Sequence, residues 1–424
     1  MIKKTFDRFN ESLYIIKLKN GMQIHILPKE DPYFTTYVEA SFPFGALDLT
    51  YKTEDGLTST PYGAAHFLEH KIFAMPDGDA FSHFSALGVD ANAMTSYSQT
   101  SYLFVATQNM MSALEYLLEM IDIPFFTEDN VNQEKRIIAE ELKMYLDDPN
   151  VVMHNQLIEM MYHSHPLKYD IGGTLESIMD VTPEILKDVY EKFYNPSNRL
   201  ITIAGKVDLK ELQTFFKNYD LKHPEKYKKL KTVYPKEPKR LVQKLAIETK
   251  EVGIDKLMLG IKLSPKKSSQ RDQVKREMAV SMLLNILLGP SSQMYAKLLE
   301  EKLINQSFYI NTTFEKKAEN IVLFAETKKV QKLKRVLINL LTVDAVDLLT
   351  PEAFERYKKV YLGQLIFALN NLETKAYLYG KYYHMGSSLF DVVDLLKEII
   401  YEDILLELAS IQKKYIAVLI HKKA

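Results

Sequence analysis

Apolar and polar positions alternate through SLYIIKL and MQIHILP, on either side of Asn20-Gly21, and again through TTYVEASF. Period-two alternation about an Asn-Gly pair predicts a β-hairpin followed by a further strand. From residue 63 the spacing lengthens to a helical one in GAAHFLEHKIF, AFSHFSALG and NMMSALEYLLEMIDI, while VDANAMTSYSQTSYLFVAT, between the last two, predicts paired strands. Strands followed by helices, repeated, argue for an α+β fold in which helices pack on one face of a mainly antiparallel sheet.

Residues 223–240, HPEKYKKLKTVYPKEPKR, are rich in Lys and Pro and lack apolar periodicity, so they predict a linker between domains at 1–222 and 241–424. The near-equality of the halves suggests duplication. FFTEDNVNQEKRIIAEEL at 125–142 aligns without a gap on LLTPEAFERYKKVYLGQL at 348–365, so that Thr127 falls on Thr350, 223 positions further on. A looser echo joins the segment starting at Thr182 to the one starting at Tyr401. Within the repeat, Glu134 faces Tyr357 and Glu141 faces Gln364, and the only histidines beyond the linker are His384 and His421. Candidate chemistry is thus confined to the first half.

Composition narrows the function further. With 46% hydrophobic and 26% charged residues the chain is a folded globular protein, and a formal net charge of -1 provides no global field for nucleic acid or an anionic membrane. Cysteine is absent, which excludes disulfides, thiolate ligands and thiol nucleophiles, so any metal must be held by histidine and carboxylate. No apolar run approaches the ~20 residues of a membrane span, and the start of the chain lacks the apolar core of a signal peptide; a cytoplasmic location is the expectation.

The stretch HFLEH places His66 and His70 four residues apart, hence on one helical face, with Glu69 beside them. Two imidazoles in this arrangement can turn toward one zinc ion, and the order is that of the inverted H-x-x-E-H motif. A catalytic site needs a third ligand from another element. The segment EKRIIAEELKMYL provides Glu134, Glu140 and Glu141; Ile137, Ile138, Leu142 and Tyr145 predict its apolar stripe, and Glu141, at the edge of that stripe, is the preferred candidate.

Taken with VDANAMTSYSQTSYLF, EKRIIAEELKMYLDDP, HPLKYDIGGTLESI and FYNPSNRLITIAGKVD, the HFLEH block resembles the pitrilysin, insulin-degrading and mitochondrial-processing-peptidase superfamily, in the layout of its small bacterial members. The resemblance implies a half-clam subunit of two homologous α+β domains and a zinc-dependent endopeptidase or oligopeptidase working in a closed chamber. It implies zinc ligands at His66, His70 and Glu141, Glu69 as general base, and Glu134 as a carboxylate supporting the ligands. It also implies that peptide is laid along DANAMTS, with Asn92 and Ala93 as substrate-binding residues. The second half departs from the pattern: Leu299 and Gln306 stand where self-sufficient relatives carry an arginine and a tyrosine that steady substrate and oxyanion. The expectation is therefore a heterodimer whose homologous partner supplies that pair, with a catalytically idle scaffold subunit as the alternative. LGPSS lacks the lysine and the preceding strand of a phosphate loop, and carries no nucleotide expectation.

Overall fold

The computed structural model describes residues 1–424 except 31, 55, 223–229 and 267–268, and leaves the side chains of 222 and 344 aside. The described residues form two compact units. Neither is contiguous in sequence: the first comprises Met1–Lys143, Asp170–Tyr234 and Ile366–Leu389, the second Met144–Tyr169, Pro235–Leu365 and Phe390–Ala424.

The first unit is built on a seven-stranded sheet. Its spatial order is Ile2–Phe6, Glu11–Lys17, Gln23–Pro28, Leu200–Gly205, Thr36–Phe42, Thr100–Ala106 and Asp90–Thr95. The hairpin predicted around Asn20-Gly21 is present, with Ile15 opposite His25 and Gly21 in the left-handed region at φ 100°. Only the pairing of Leu200–Gly205 with Gln23–Pro28 is parallel. Alternation along each strand separates two faces. Ile24, Ile26, Val38, Ala40, Phe42, Tyr102, Phe104, Ile201 and Ile203 enter the main core, where they meet Phe67, Leu68, Leu114, Leu117 and Ile138 from the helices.

The opposite face is unusually polar and is also covered. Helix Leu372–His384 lies across it: Lys375 Nζ reaches Glu11 at 2.6 Å, Tyr379 Oη is 2.6 Å from His25 Nδ1, and His384 Nε2 is 2.9 Å from Ser41 Oγ. Gly380 brings the helix backbone down onto the sheet, since a Cβ there would stand 3.4 Å from Ser41 Oγ and 3.8 Å from Gln99 Nε2. Beneath it Glu39 is fully buried; its Oε1 accepts from Gln99 Nε2 at 3.3 Å, and its Oε2 has no hydrogen-bond partner among the described residues. Burial pushes the Glu39 carboxyl up to about 7 against the opposing hydrogen bonds of Ser101 and Gln99. Burial, with the charge of Lys4, pushes His25 down to about 4.

The second unit repeats the plan. Its five-stranded sheet runs Leu245–Lys250, Ile416–Lys423, Lys256–Leu263, Ala318–Glu326 and Tyr309–Glu315. Helix Pro149–Met161 covers one face, burying Met153, Leu157 and Met161, and a Cβ at Gly260 would lie 2.6 Å from Met161 Sδ. The internal repeat is visible in the element bounds: Glu128–Leu146 and Pro351–Ala368 start 223 residues apart, and Pro149–Met161 and Leu372–His384 keep that offset at both ends.

The α+β plan of helices packed on mainly antiparallel sheets is as expected, and in the first unit Leu372–His384 adds a cover on the second face. Against the expected bounds of 1–222 and 241–424, segment 144–169 groups with the second unit and 366–389 with the first. The stripe expected on Glu128–Leu146 is shifted: Ile138 and Leu142 are buried with Val131 and Ala139, whereas Ile137 and Tyr145 are 49% and 41% exposed. Of the expected linker, residues 223–229 lie outside the described residues, but its remainder is tied down. Lys231–Thr232 pairs with Thr50–Lys52, and the Glu237 carboxylate accepts from the backbone N–H groups of His163, Ser164 and His165 and from Lys262 Nζ.

Candidate metal centre

HFLEH forms helix Ala64–Ile72, with Phe67, Leu68 and Ile72 turned into the core and the imidazoles of His66 and His70 side by side, ring centroids 4.6 Å apart. Its start is fixed by a backbone-on-backbone contact. Gly63 caps the helix at φ 84°, and a Cβ there would fall 2.3 Å from the carbonyl oxygen of Gly172; a Cβ on Gly173 would fall 2.5 Å from that of Tyr62. Glycine is required at both places, so the Gly172-Gly173 turn buttresses the helix. Ser177 Oγ adds a hydrogen bond to the Tyr62 carbonyl at 2.8 Å.

Helix Glu128–Leu146 brings two of its carboxylates to this face. Glu141 Oε2 lies 3.8 Å from His66 Nε2 and 3.6 Å from His70 Nε2, and one donor atom from each of His66, His70 and Glu141 falls within 4.8 Å of the others. A tetrahedral ion with bonds of about 2.0–2.1 Å sets its ligand atoms about 3.4 Å apart, so closing the triangle takes small side-chain movements. Glu134 occupies the far side of His70, its Oε1 3.1 Å from His70 Nδ1. Glu140, the third carboxylate considered, is exposed and bonds to Lys143. Glu69, largely buried, accepts from Thr95 Oγ1 at 2.5 Å.

Electrostatics divide these groups by task. Burial pushes His66 down to about 4, and the neighbouring charge of His70 adds to the fall, so that ring is a neutral donor. Burial acts the same way on His70, but the hydrogen bond and charge of Glu134, together with Glu69 and Glu141, raise it overall. Glu69 is raised by burial despite the Thr95 hydrogen bond. Glu134 would also be raised by burial, but His70 and Lys71 outweigh it and hold it low. The two carboxylates are thus pushed in opposite directions within one site, Glu69 toward a higher proton affinity and Glu134 toward a lower one.

Asp90–Thr95 is the outer strand of the sheet, paired with Thr100–Ala106. Asn92 and Ala93 lie on it. Ala93 packs against the core, while the Asn92 side-chain carbonyl accepts from the Ala93 N–H at 2.8 Å. Both residues join Glu69 and Glu134 in lining a cavity of about 560 Å³ whose apolar wall includes Phe73 and Phe81, stacked at 4.2 Å. Thr95, Lys71 and the glycine buttress were missed by sequence reasoning; Thr95 sits inside the DANAMTS block, but nothing in that block announces its contact with Glu69.

The donors fit zinc by their own chemistry: two imidazoles and a carboxylate, one ring held neutral, and His66 Nδ1 buried without a hydrogen-bond partner among the described residues. Such a fold, carrying the inverted motif on a buried helix beside an open sheet edge, is that of the inverted-motif zinc peptidases. Residues 58–175 match the insulinase family, peptidase family M16, and 180–361 match the peptidase M16 inactive domain, so the chain belongs to family M16. It is 34% identical over 402 residues to the uncharacterized zinc protease YmfH of Bacillus subtilis, covering 94% of each chain. Its fold matches a protein of Alicyclobacillus acidocaldarius assigned as an M16-like peptidase (TM-score 0.90, 25% identity, 98% and 99% of the two chains). It also matches a Helicobacter pylori protease (TM-score 0.82, 21% identity, 97% and 99%). Among the described residues, no helix is long and apolar enough to cross a membrane.

Proposed function

We propose that this chain is the metal-bearing subunit of a zinc-dependent endopeptidase or oligopeptidase, with His66, His70 and Glu141 as ligands. The convergence of those three side chains, with Glu69 beside them and an open strand edge lining the same cavity, carries the reading. Zinc bound there would polarise the scissile carbonyl and acidify the attacking water. Peptide adds to the edge strand Asp90–Thr95 at Asn92 and Ala93 through main-chain hydrogen bonds, which leaves selectivity to pockets such as the one lined by Phe73 and Phe81. Glu69 accepts the proton of the attacking water on its carboxylate and delivers it to the leaving amine. Its buried, raised carboxyl suits that exchange better than a low one would.

The arginine nearest in sequence before the serine-rich block is already engaged. Arg276 is buried and bonded to Glu319 and Glu407, and Leu299 occupies the position at which the family arginine is expected. We therefore assign the oxyanion-steadying pair to a homologous partner subunit, in a heterodimer that encloses the peptide. Removing such donors costs on the order of 3 to 4 kcal/mol of transition-state stabilisation. The experiment is to measure bound zinc and cleavage of a quenched peptide library, with the chain alone and mixed with an Arg/Tyr-bearing homologue. Zinc near one per chain, lost on His66→Ala, with activity appearing on mixing, supports the proposal; an intact zinc site with no cleavage in any mixture supports the idle-scaffold reading instead.

A further inference from the structure

One buried cation beside the metal centre is unused by this mechanism. Lys71 follows His70 on the motif helix and is 3% exposed. Lysine is almost never buried without a partner. The partner here is Glu134: Lys71 Nζ stands 3.4 Å from Oε2, while the other oxygen of the same carboxylate, Oε1, stands 3.1 Å from His70 Nδ1. Each oxygen of Glu134 is therefore committed to a different neighbour.

That division matters because a carboxylate held at one oxygen swings about its terminal bond, whereas one held at both has its plane fixed. An ionised Glu134 can only accept, so the proton of the His70 contact sits on Nδ1, and the lone pair of the ring is left on Nε2, the atom that lies 3.6 Å from Glu141. Without the lysine, Oε2 would be left without its donor in a half-buried pocket, and the group would turn toward the cavity it already lines. His70 would lose its orienting acceptor in the same movement.

We propose that Lys71 is a positioning residue that clamps Glu134 so that His70 presents Nε2 to the metal. The proposal rests on the zinc reading given above. Lys71 touches neither the ion nor the substrate in this role; it acts through Glu134 on a ligand.

The test is zinc affinity, read by competition with a chromophoric chelator, for the wild-type chain, Lys71→Met, Lys71→Arg, Glu134→Gln and the Lys71→Met/Glu134→Gln double variant. Loss of the clamp weakens zinc binding by about tenfold in Lys71→Met, as expected for groups that orient a metal-binding histidine. Lys71→Arg retains a cationic donor and restores most of it. The double variant binds no more weakly than Glu134→Gln alone, because the lysine has nothing left to hold. Thermal unfolding of the metal-free chains is followed in parallel; if Lys71→Met does not fold, Lys71→Gln is measured in its place with the same expectation. Unchanged affinity in the lysine variant overturns the proposal, and so do losses that simply add in the double variant. Tighter binding also overturns it, since that is what relief of cation repulsion alone would produce. A wild-type chain that takes up no zinc sinks the zinc reading itself, and this inference with it.

Discussion

Replacing Glu39 with glutamine should change how stability depends on pH, and the size of the change is set by where the carboxyl sits. Its proton affinity is raised from the ordinary 4.5 to about 7. Below 4.5 the folded and unfolded chains both hold this proton. Between 4.5 and 7 only the folded chain does, so stability falls as pH rises, and above 7 the loss is complete. At about 1.4 kcal/mol per tenfold the loss is about 3 kcal/mol. His25, beneath the same helix, works in the opposite direction: lowered from 6.5 to about 4, it is neutral when folded and protonated when unfolded between about pH 4 and 6.5, so stability rises with pH by a similar amount over that largely overlapping range. The two slopes offset each other in the natural chain. Glu39→Gln, which keeps an acceptor for Gln99, removes one slope and exposes the other. Urea unfolding followed by far-ultraviolet circular dichroism should find variant and natural chain alike near pH 4.5, with the variant more stable by up to about 3 kcal/mol near pH 8. A stability difference of the same size at both pH values would refute the argument that Glu39 is carried in the fold as a neutral acid.

The metal centre sets further outcomes. Glu69→Gln should retain zinc at one per chain yet lower peptide cleavage in the reconstituted enzyme by about 10²- to 10⁴-fold, the usual contribution of a general base; near-normal turnover would remove Glu69 from that role. Zinc uptake should strengthen with rising pH while His70 carries a proton, by up to about tenfold per pH unit, because Glu134 raises that histidine above its ordinary value. The slope should persist to higher pH than an ordinary histidine allows, and shrink in Glu134→Gln; chelator competition at several pH values measures both. Gly63→Ala should destabilise the first unit by more than about 2 kcal/mol, since it combines a left-handed φ of 84° with a Cβ placed 2.3 Å from the Gly172 oxygen. An alanine chain melting with the natural one would show that the buttress can relax.

Much of this architecture was legible from local pattern. Strand alternation separates Ile24 and Ile26 from His25, and Val38 and Ala40 from Glu39, because successive side chains on a strand must face opposite ways. HFLEH was legible for the corresponding helical reason, since residues three and four apart share a helical face, and Glu134 and Glu141 both lie against its imidazoles. The illegible features depend on partners distant in sequence. Ile137 and Tyr145 look like core residues by spacing, but both are exposed, and Ile137 lines the cavity beside Glu134. The helical period of Leu372–His384 shows that it has faces to bury without naming the sheet that receives them, and the contacts of Lys71 with Glu134 and of Thr95 with Glu69 span 63 and 26 residues. The composition of the 223–240 segment likewise gave no sign that Glu237 would be fastened by three backbone amides and a buried lysine.

The crossing-over of Pro149–Met161 and Leu372–His384 means that this chain cannot be cut into two self-contained halves. A gene split within residues 223–240 would encode one fragment whose sheet exposes Glu39, His25 and Glu11 to water where Leu372–His384 had covered them. The same fragment would trail an oily helix bearing Met153, Leu157 and Met161 with nowhere to lie. Neither product should persist singly in soluble form, yet the two made together should re-knit, each lending the other the helix it lacks.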